Sequence, residues 1–407
     1  MRGITAGIDI GTTVVTTAVI RRERDGKLHL AGVGQAPSAG LRRGAVVDAE
    51  AAAGALRRSL QEASRASGVS IRSAVVGVGG SHVGSFTARG VVAISRADGE
   101  ITEDDAARVV RAAEGFISKN PNREVIHVIP REFKIDGQGG IRDPVGMAGM
   151  KLEVEALVID GAKQSLQNLI RACELSGLEV EDWVCSNLAA AEVLLSERQK
   201  ELGVILLDLG AGTTNFAIFE EGILFDVGSF PIGGGHITSD IAIGFRTQVV
   251  AAEAIKLRYA AASADRSAKR ELIRLAEFVE GDPLEFAARD LVEIVSARLT
   301  DIFELTTKAL RKIGRAGLLP AGVVLTGGGA DVPGIQELCR RELKLPVEIA
   351  KAVAHDAIAE VIPPRLAIPV GLVLWRGARS ERELSRGRRH FGSIIERAKR
   401  ILRAFVP

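Results

Sequence analysis

The chain has 407 residues, 46% of them hydrophobic, which is enough for two or more cores of ordinary domain size and excludes a disordered polymer. Its formal net charge of +2 is unevenly spread: residues 376–403 hold ten Lys or Arg against three Glu, which leaves the rest of the chain at −5. A basic tail on an acidic body points to an anionic surface, lipid or nucleic acid, touched by the tail alone.

In chain order, MRGITAGIDIGTT carries Asp9 inside its only apolar run and has no basic segment leading into a long apolar one, so no signal peptide is expected. Apolar runs at 4–11, 14–22 and 28–35 are rich in β-branched residues and punctuated by glycine and polar turns, which predicts a three-stranded meander. A helix is predicted from about 48 to 66. Strands at 74–79 and 83–94 follow, then a helix at 102–118 with Thr102 as N-cap, then strands near 124–135 and 152–160. Residues 84–160 read as an inserted small α+β subdomain.

Beyond it the pattern gives a helix at 163–176, a strand at 180–185 and a helix at 188–199, before a second meander opens at Gly203. GIDIGTTVVTTAVI and LLDLGAGTTNFAIF share a strand, an Asp, a glycine turn, paired Thr and a returning strand, with Asp9 and Asp208 separated by 199 residues. The repetition predicts two similar half-molecules facing each other across a cleft. Helices near 248–261, 269–278 and 284–313, a strand at 323–326 and helices at 333–343 and 368–376 complete the expectation. Cys173, Cys185 and Cys339 have no C-x-x-C spacing and the six histidines no ligand-like spacing, so neither a disulfide framework nor a protein-held metal is expected.

A glycine-bearing hairpin presents backbone N–H groups that converge on an anion with no side chain in the way. Two facing hairpins would clamp a polyphosphate, with Gly11, Thr12 and Thr13 from the first and Gly210, Gly212, Thr213, Thr214 and Asn215 from the second. Asp9 and Asp208 then lie where they hold Mg2+ through water, and are the candidate catalytic carboxylates. For either motif alone, a tight hairpin whose Asp and Thr serve local backbone groups is an equal reading. A third cluster in VVLTGGGADVPG, with Gly327, Gly328 and Gly329, repeats the strand-to-glycine transition and opens a helix at Pro333. That suits a base and ribose approaching bare backbone.

DIGTT, DLGAGTT and LTGGGADVPG, in this order, resemble the phosphate and adenosine loops of the actin, sugar-kinase and heat-shock-chaperone ATPase superfamily. The resemblance implies an actin-like, ribonuclease H-like duplicated α/β fold that binds ATP and Mg2+ between two lobes. Within the superfamily, LRRGAVVDAE, VVGVGGSHV, GEITEDDAARVVRAAE, PIGGGHITSDIAIGF and the last amphipathic segment are similar to the FtsA family over nearly the whole chain. By that resemblance the insert is the one FtsA carries in place of an actin subdomain. Glu253 and Lys256 would approach ribose and adenine, with an exposed i,i+3 helix pair as the alternative. The charged stretch 265–275 would dock the FtsZ C-terminal tail, with a solvated helix face as its alternative. Hydrolysing members place Glu or Gln before the second hairpin, where CSNLAAAEVL offers Ser186 or Asn187. Tight Mg-ATP binding with slow or negligible turnover is therefore expected, at most a weak ATPase.

In FGSIIERAKRILRAFV, Phe391, Ile394, Ile395, Ala398, Ile401, Leu402 and Phe405 recur at three- and four-residue steps, while Arg397, Lys399, Arg400 and Arg403 hold the other face. The segment is too short to cross a bilayer and suits lying in its interface. Residues 376–390 carry little apolar content beyond Leu384 and read as a solvated basic linker. Nucleic acid is disfavoured, because the charges interleave with an aliphatic stripe and stacking aromatics are few.

The domains expected are a first lobe at 1–83 and 161–200, the insert at 84–160, and a second lobe at 201–245 and 314–376. An outer small subdomain at 246–313, a linker at 377–390 and a membrane-binding helix at 391–407 complete them. The function expected is a peripheral division protein on the cytoplasmic face of the membrane at the septum. It would polymerise end to end, hold FtsZ filaments against anionic lipid and recruit other division proteins. A pilus-assembly actin homologue and a sugar-kinase-type phosphotransferase are the alternatives.

Overall fold

The computed structural model describes residues 3–23, 27–115, 120–263 and 272–385, with side chains as far as 377. Strands β1 (Ile4–Ile10), β2 (Val14–Arg22) and β3 (Leu28–Pro37) form the first antiparallel meander. A short hairpin of β4 (Leu41–Arg42) and β5 (Ala45–Val46) leads into α1 (Ala49–Ser67). Asp48 caps α1 by accepting from the amide of Ala51 at 3.1 Å, which satisfies a donor the first turn leaves open. β6 (Ser73–Val78) then runs parallel to β1.

The insert follows as β7 (Val83–Ala93), α2 (Glu103–Gly115), β8 (Arg123–Ile135), β9 (Gln138–Ile141) and β10 (Lys151–Ala162). Its sheet has the order β7-β10-β8-β9 and its own core around Ile101, Val109, Leu152 and Val158. Thr102 caps α2 reciprocally: its hydroxyl accepts from Asp105 N at 3.3 Å, and the Asp105 carboxylate accepts from Thr102 N at 2.9 Å. The chain returns through α3 (Lys163–Ser176) to β11 (Glu179–Cys185), parallel to β6.

The single helix expected over 188–199 is two, α4 (Ser186–Leu194) and α5 (Glu197–Leu202). Leu195 turns to an extended conformation, and Ser196 with Gln199 forms a capping box that starts the second helix. The second meander is β12 (Val204–Leu209), β13 (Thr214–Glu220) and β14 (Ile223–Phe230), followed by α6 (Gly234–Gly244) and α7 (Val249–Tyr259). The helix expected at 269–278 is not formed by its described residues. There β15 (Leu272–Arg274) pairs with β16 (Glu285–Ala287), because Ile273 is fully buried between exposed Leu272 and Arg274, a period of two. A 3-10 turn, Leu275–Glu277, follows β15. For the same reason the next helix, α8 (Ala288–Lys312), starts later than the expected 284.

The chain continues with β17 (Gly322–Thr326), α9 (Ile335–Leu343), β18 (Val347–Ile349), β19 (Val353–His355), β20 (Ile358–Ile362) and α10 (Ala367–Ser385). The first sheet contains the order β11-β6-β1-β2-β3 and the second β18-β17-β12-β13-β14, so the same five-strand arrangement occurs twice. The lobe boundary expected near 376 needs correction. β20 pairs with β3, and α10 places Leu372 against Val75, Val184 and Ala189, so 353–376 pack on the first lobe rather than the second. Fully buried Leu372 and nearly buried Val370 and Val373 explain this, since their apolar face needs the first sheet. α10 also runs on to Ser385, so the first nine residues of the expected linker are helical. Phe391, Ile394, Ile395, Arg397, Lys399, Arg400, Ile401, Leu402, Arg403 and Phe405 lie outside the described residues.

Candidate functional site

Both hairpins end their first strand in a carboxylate because the pleat places Asp9 and Asp208 at the last turn of β1 and β12, opposite Thr16 and Asn215. Each turn is short. Gly11 N donates to Val14 O at 3.1 Å in the first, and Gly210 packs on the carbonyl of Thr213 in the second. The two turns belong to different lobes and meet. A Cβ at Gly212 would lie 2.6 Å from Thr12 Oγ1 and 3.1 Å from Arg43 Cα, so only glycine lets the second turn close on the first. The third cluster joins them through the second sheet. Gly327, with φ +81°, leaves its site bare against Asp208 Oδ1 and the Leu209 carbonyl.

Electrostatics give the same picture. Burial, and then the Asp208 carboxylate, push the Asp9 carboxyl up to about 7. Burial raises Asp208 as well, opposed by a hydrogen bond from Asn215 Nδ2 at 3.2 Å. Two carboxylates of raised proton affinity, both partly accessible, are a donor set suited to a hydrated hard cation.

The other expected residues divide. Thr12 Oγ1 accepts from Gly44 N at 3.2 Å and faces the second loop, while Thr13 is exposed. Asn215 serves Asp208, and Ser229 Oγ donates to its Oδ1 at 2.7 Å. Thr214 departs from expectation: it is fully buried and its hydroxyl donates to Ile232 O at 2.8 Å, within the second lobe. Glu253 and Lys256 form an i,i+3 ion pair at 2.7 Å, with the lysine largely buried rather than exposed. The lysine ammonium also donates to Thr238 Oγ1 at 2.9 Å and Gly234 O at 3.2 Å, at the first turn of α6. That turn backs the second loop, since Gly234 N donates to Gly210 O and Gly235 N to Ala211 O.

Asn187 is taken up elsewhere. Its amide donates to Phe216 O at 2.9 Å and Gly228 O at 3.0 Å, so neither N–H is left to orient a water. Ser186 lies beside Gly77 and Gly79 at the end of β6. Sequence reasoning missed Arg43, Thr238 and His236. The stretches LRRGAVVDAE and PIGGGHITSDIAIGF carried them, but nothing in a linear pattern shows that they border one cleft.

A duplicated α/β fold with its hairpins meeting between two lobes, and a small insert in the first lobe, defines an actin-like ATPase fold. Solved structures share it. The PilM-PilN type IV pilus biogenesis complex matches with a TM-score of 0.66 at 17% identity, over 91% of this chain and 98% of that one. MreB5 of Spiroplasma citri bound to ADP matches with 0.56 at 14%, over 94% and 98%. Residues 80–160 match the family model for the SHS2 domain inserted in FTSA, and 205–371 that for cell division protein FtsA. Among curated proteins, the cell division protein FtsA of Pseudomonas aeruginosa is 37% identical, covering 91% of this chain and 88% of its own length. That of Bacillus subtilis is 36% identical over 84% and 77%, and that of Escherichia coli 32% over 91% and 90%. The chain belongs to the cell division protein FtsA family.

Proposed function

We propose that the chain binds Mg-ATP in this cleft, assembles end to end, and ties FtsZ filaments to the cytoplasmic face of the membrane at the division septum. The observation that carries this reading is the meeting of the Thr12 and Gly212 turns across the lobes, with Gly327 packed on Asp208. Backbone amides of the two hairpins would hold the phosphates, and the Gly327–Gly329 turn the adenosine. Asp9 and Asp208 would hold Mg2+ through water. The metal would neutralise phosphate charge and relieve the carboxylate repulsion described above. The ADP bound in the solved MreB5 structure, on the same fold, supports a nucleotide here. With Asn187 engaged and no Glu or Gln in its place, turnover falls below the ordinary enzyme range of roughly 1 per second and upward.

No helix among the described residues is long and apolar enough to cross a membrane. Attachment is assigned to residues 391–407, whose basic and apolar faces suit an anionic bilayer surface. Docking of the FtsZ tail is assigned to the outer small subdomain around 265–275, where Lys269 and Arg270 lie outside the described residues. Other division proteins would join through the remaining surface.

Electron microscopy of the protein with ATP on an anionic lipid monolayer, with and without FtsZ, tests the whole reading. Lipid-bound filaments that gather FtsZ are expected. A variant truncated after His390 should no longer co-sediment with anionic liposomes, and retained binding would remove the membrane assignment.

A further inference from the structure

Arg43 occupies a position that its turn chemistry does not favour. The β4–β5 hairpin pairs Arg42 with Ala45, so Arg43 and Gly44 form its two-residue loop, with φ of +51° and +73°. Loops with positive φ at both positions select Asn-Gly or Gly-Gly, because a long side chain in the left-handed region is strained. The loop is nonetheless held firmly. Gly44 N donates to Thr12 Oγ1 at 3.2 Å, and Ser81 N donates to Arg43 O at 3.2 Å.

This strained residue stands at the cleft. The tip of its hairpin, on the first lobe, sits against Gly212 of the second phosphate loop. Arg43 is exposed, and its guanidinium has no ion pair or side-chain hydrogen bond among the described residues. Among the described residues other arginines are placed on carboxylates: Arg123 on Asp160, Arg298 on Asp240, Arg315 on Glu220. Its charge reaches the opposite lobe. Burial, then Arg298, and more weakly Arg43 lower the proton affinity of His236, in the first turn of α6 behind the second loop.

We propose that Arg43 supplies the cation that reads the terminal phosphate, so that the cleft distinguishes a nucleoside triphosphate from a diphosphate through a guanidinium carried across from the first lobe. The proposal rests on the nucleotide reading above. An arginine suits the task because its planar fork binds two phosphate oxygens at once and stays charged at any working pH. Backbone strain kept at the cleft, and held there by the Gly44–Thr12 and Ser81–Arg43 hydrogen bonds, fixes where the arginine starts and suits such a role.

The test uses the full chain with Mg2+ and titrates AMPPNP and ADP calorimetrically into the native protein and into Arg43→Gly, Arg43→Ala and Arg43→Lys. Arg43→Gly relieves the strained φ, so its melting temperature should equal or exceed that of the native protein. Loss of a charge-assisted contact should weaken AMPPNP by roughly tenfold or more and ADP by less than about threefold, with Arg43→Lys intermediate. A native AMPPNP-to-ADP preference in folded Arg43→Gly overturns the proposal and leaves the nucleotide site standing. A native protein that binds neither nucleotide overturns both.

Discussion

A carboxylate at the end of a buried strand is costly unless something positive arrives, and this cleft holds two, Asp9 and Asp208, each raised by burial. His82 shows the reverse case. Burial, and then Arg123, push it down to about 4 from 6.5, and its Nδ1 is buried without a hydrogen-bond partner. A cavity of about 10 Å³ lined by Ile10, Leu41, Val46 and Leu169 adjoins it. The unfolded ring takes a proton as pH falls through 6.5, the folded one only near 4. Stability is therefore complete above 6.5 and is lost progressively towards 4. His82→Asn should flatten the unfolding midpoint over that window, recovering about 1–3 kcal/mol at its acid end; urea titrations at stepped pH measure it. At this scale the sequence was readable where chemistry repeats, as in Asp9 and Asp208. It was not readable where side-chain direction decides, since Thr213 and Thr214 are adjacent and the pleat sends the hydroxyl of Thr214 into the second lobe.

Among elements, α4 has a special position, because it packs with α10 on the first lobe while Asn187 at its start bonds two carbonyls of the second. It is one of the links between the lobes, beside the meeting of Thr12 with Gly212. Asn187→Ala leaves those carbonyls short of donors and should cost about 1–3 kcal/mol. An unchanged urea midpoint would show that the link carries no energy. The meanders, α1, α3 and three of the four insert strands were legible because their apolar patterns are long and their caps local, such as Asp48 for α1; β9, four residues with two glycines, was not. Three-residue strands were not. β15 and β16 exist only as a pair, each too short to show its period beside the helical pattern of α8. The break after α4 was written in a capping box, Ser196 with Gln199, inside a run otherwise fit for helix.

For the whole molecule, the duplication read from two sequence repeats extends to all five strands of the second sheet and to five of the seven in the first. The partner strands β18 and β11 carry no motif and could not have been matched from sequence. The return of β20 and α10 to the first lobe was equally hidden, because a connection between lobes depends on which buried face needs covering. The family was legible, since its motifs lie in the loops that the fold brings together, and relatives at 32–37% identity place it in the same family. On the proposed function, two hairpins from opposite lobes enclose one nucleotide. Calorimetric titration of the full chain with AMPPNP and Mg2+, beside Gly212→Val, tests it most directly. One nucleotide per chain is expected, with affinity weakened by roughly tenfold or more in the variant, whose side chain would press on Thr12 and Arg43. Native affinity in a folded Gly212→Val, or no binding by the native chain, would contradict it.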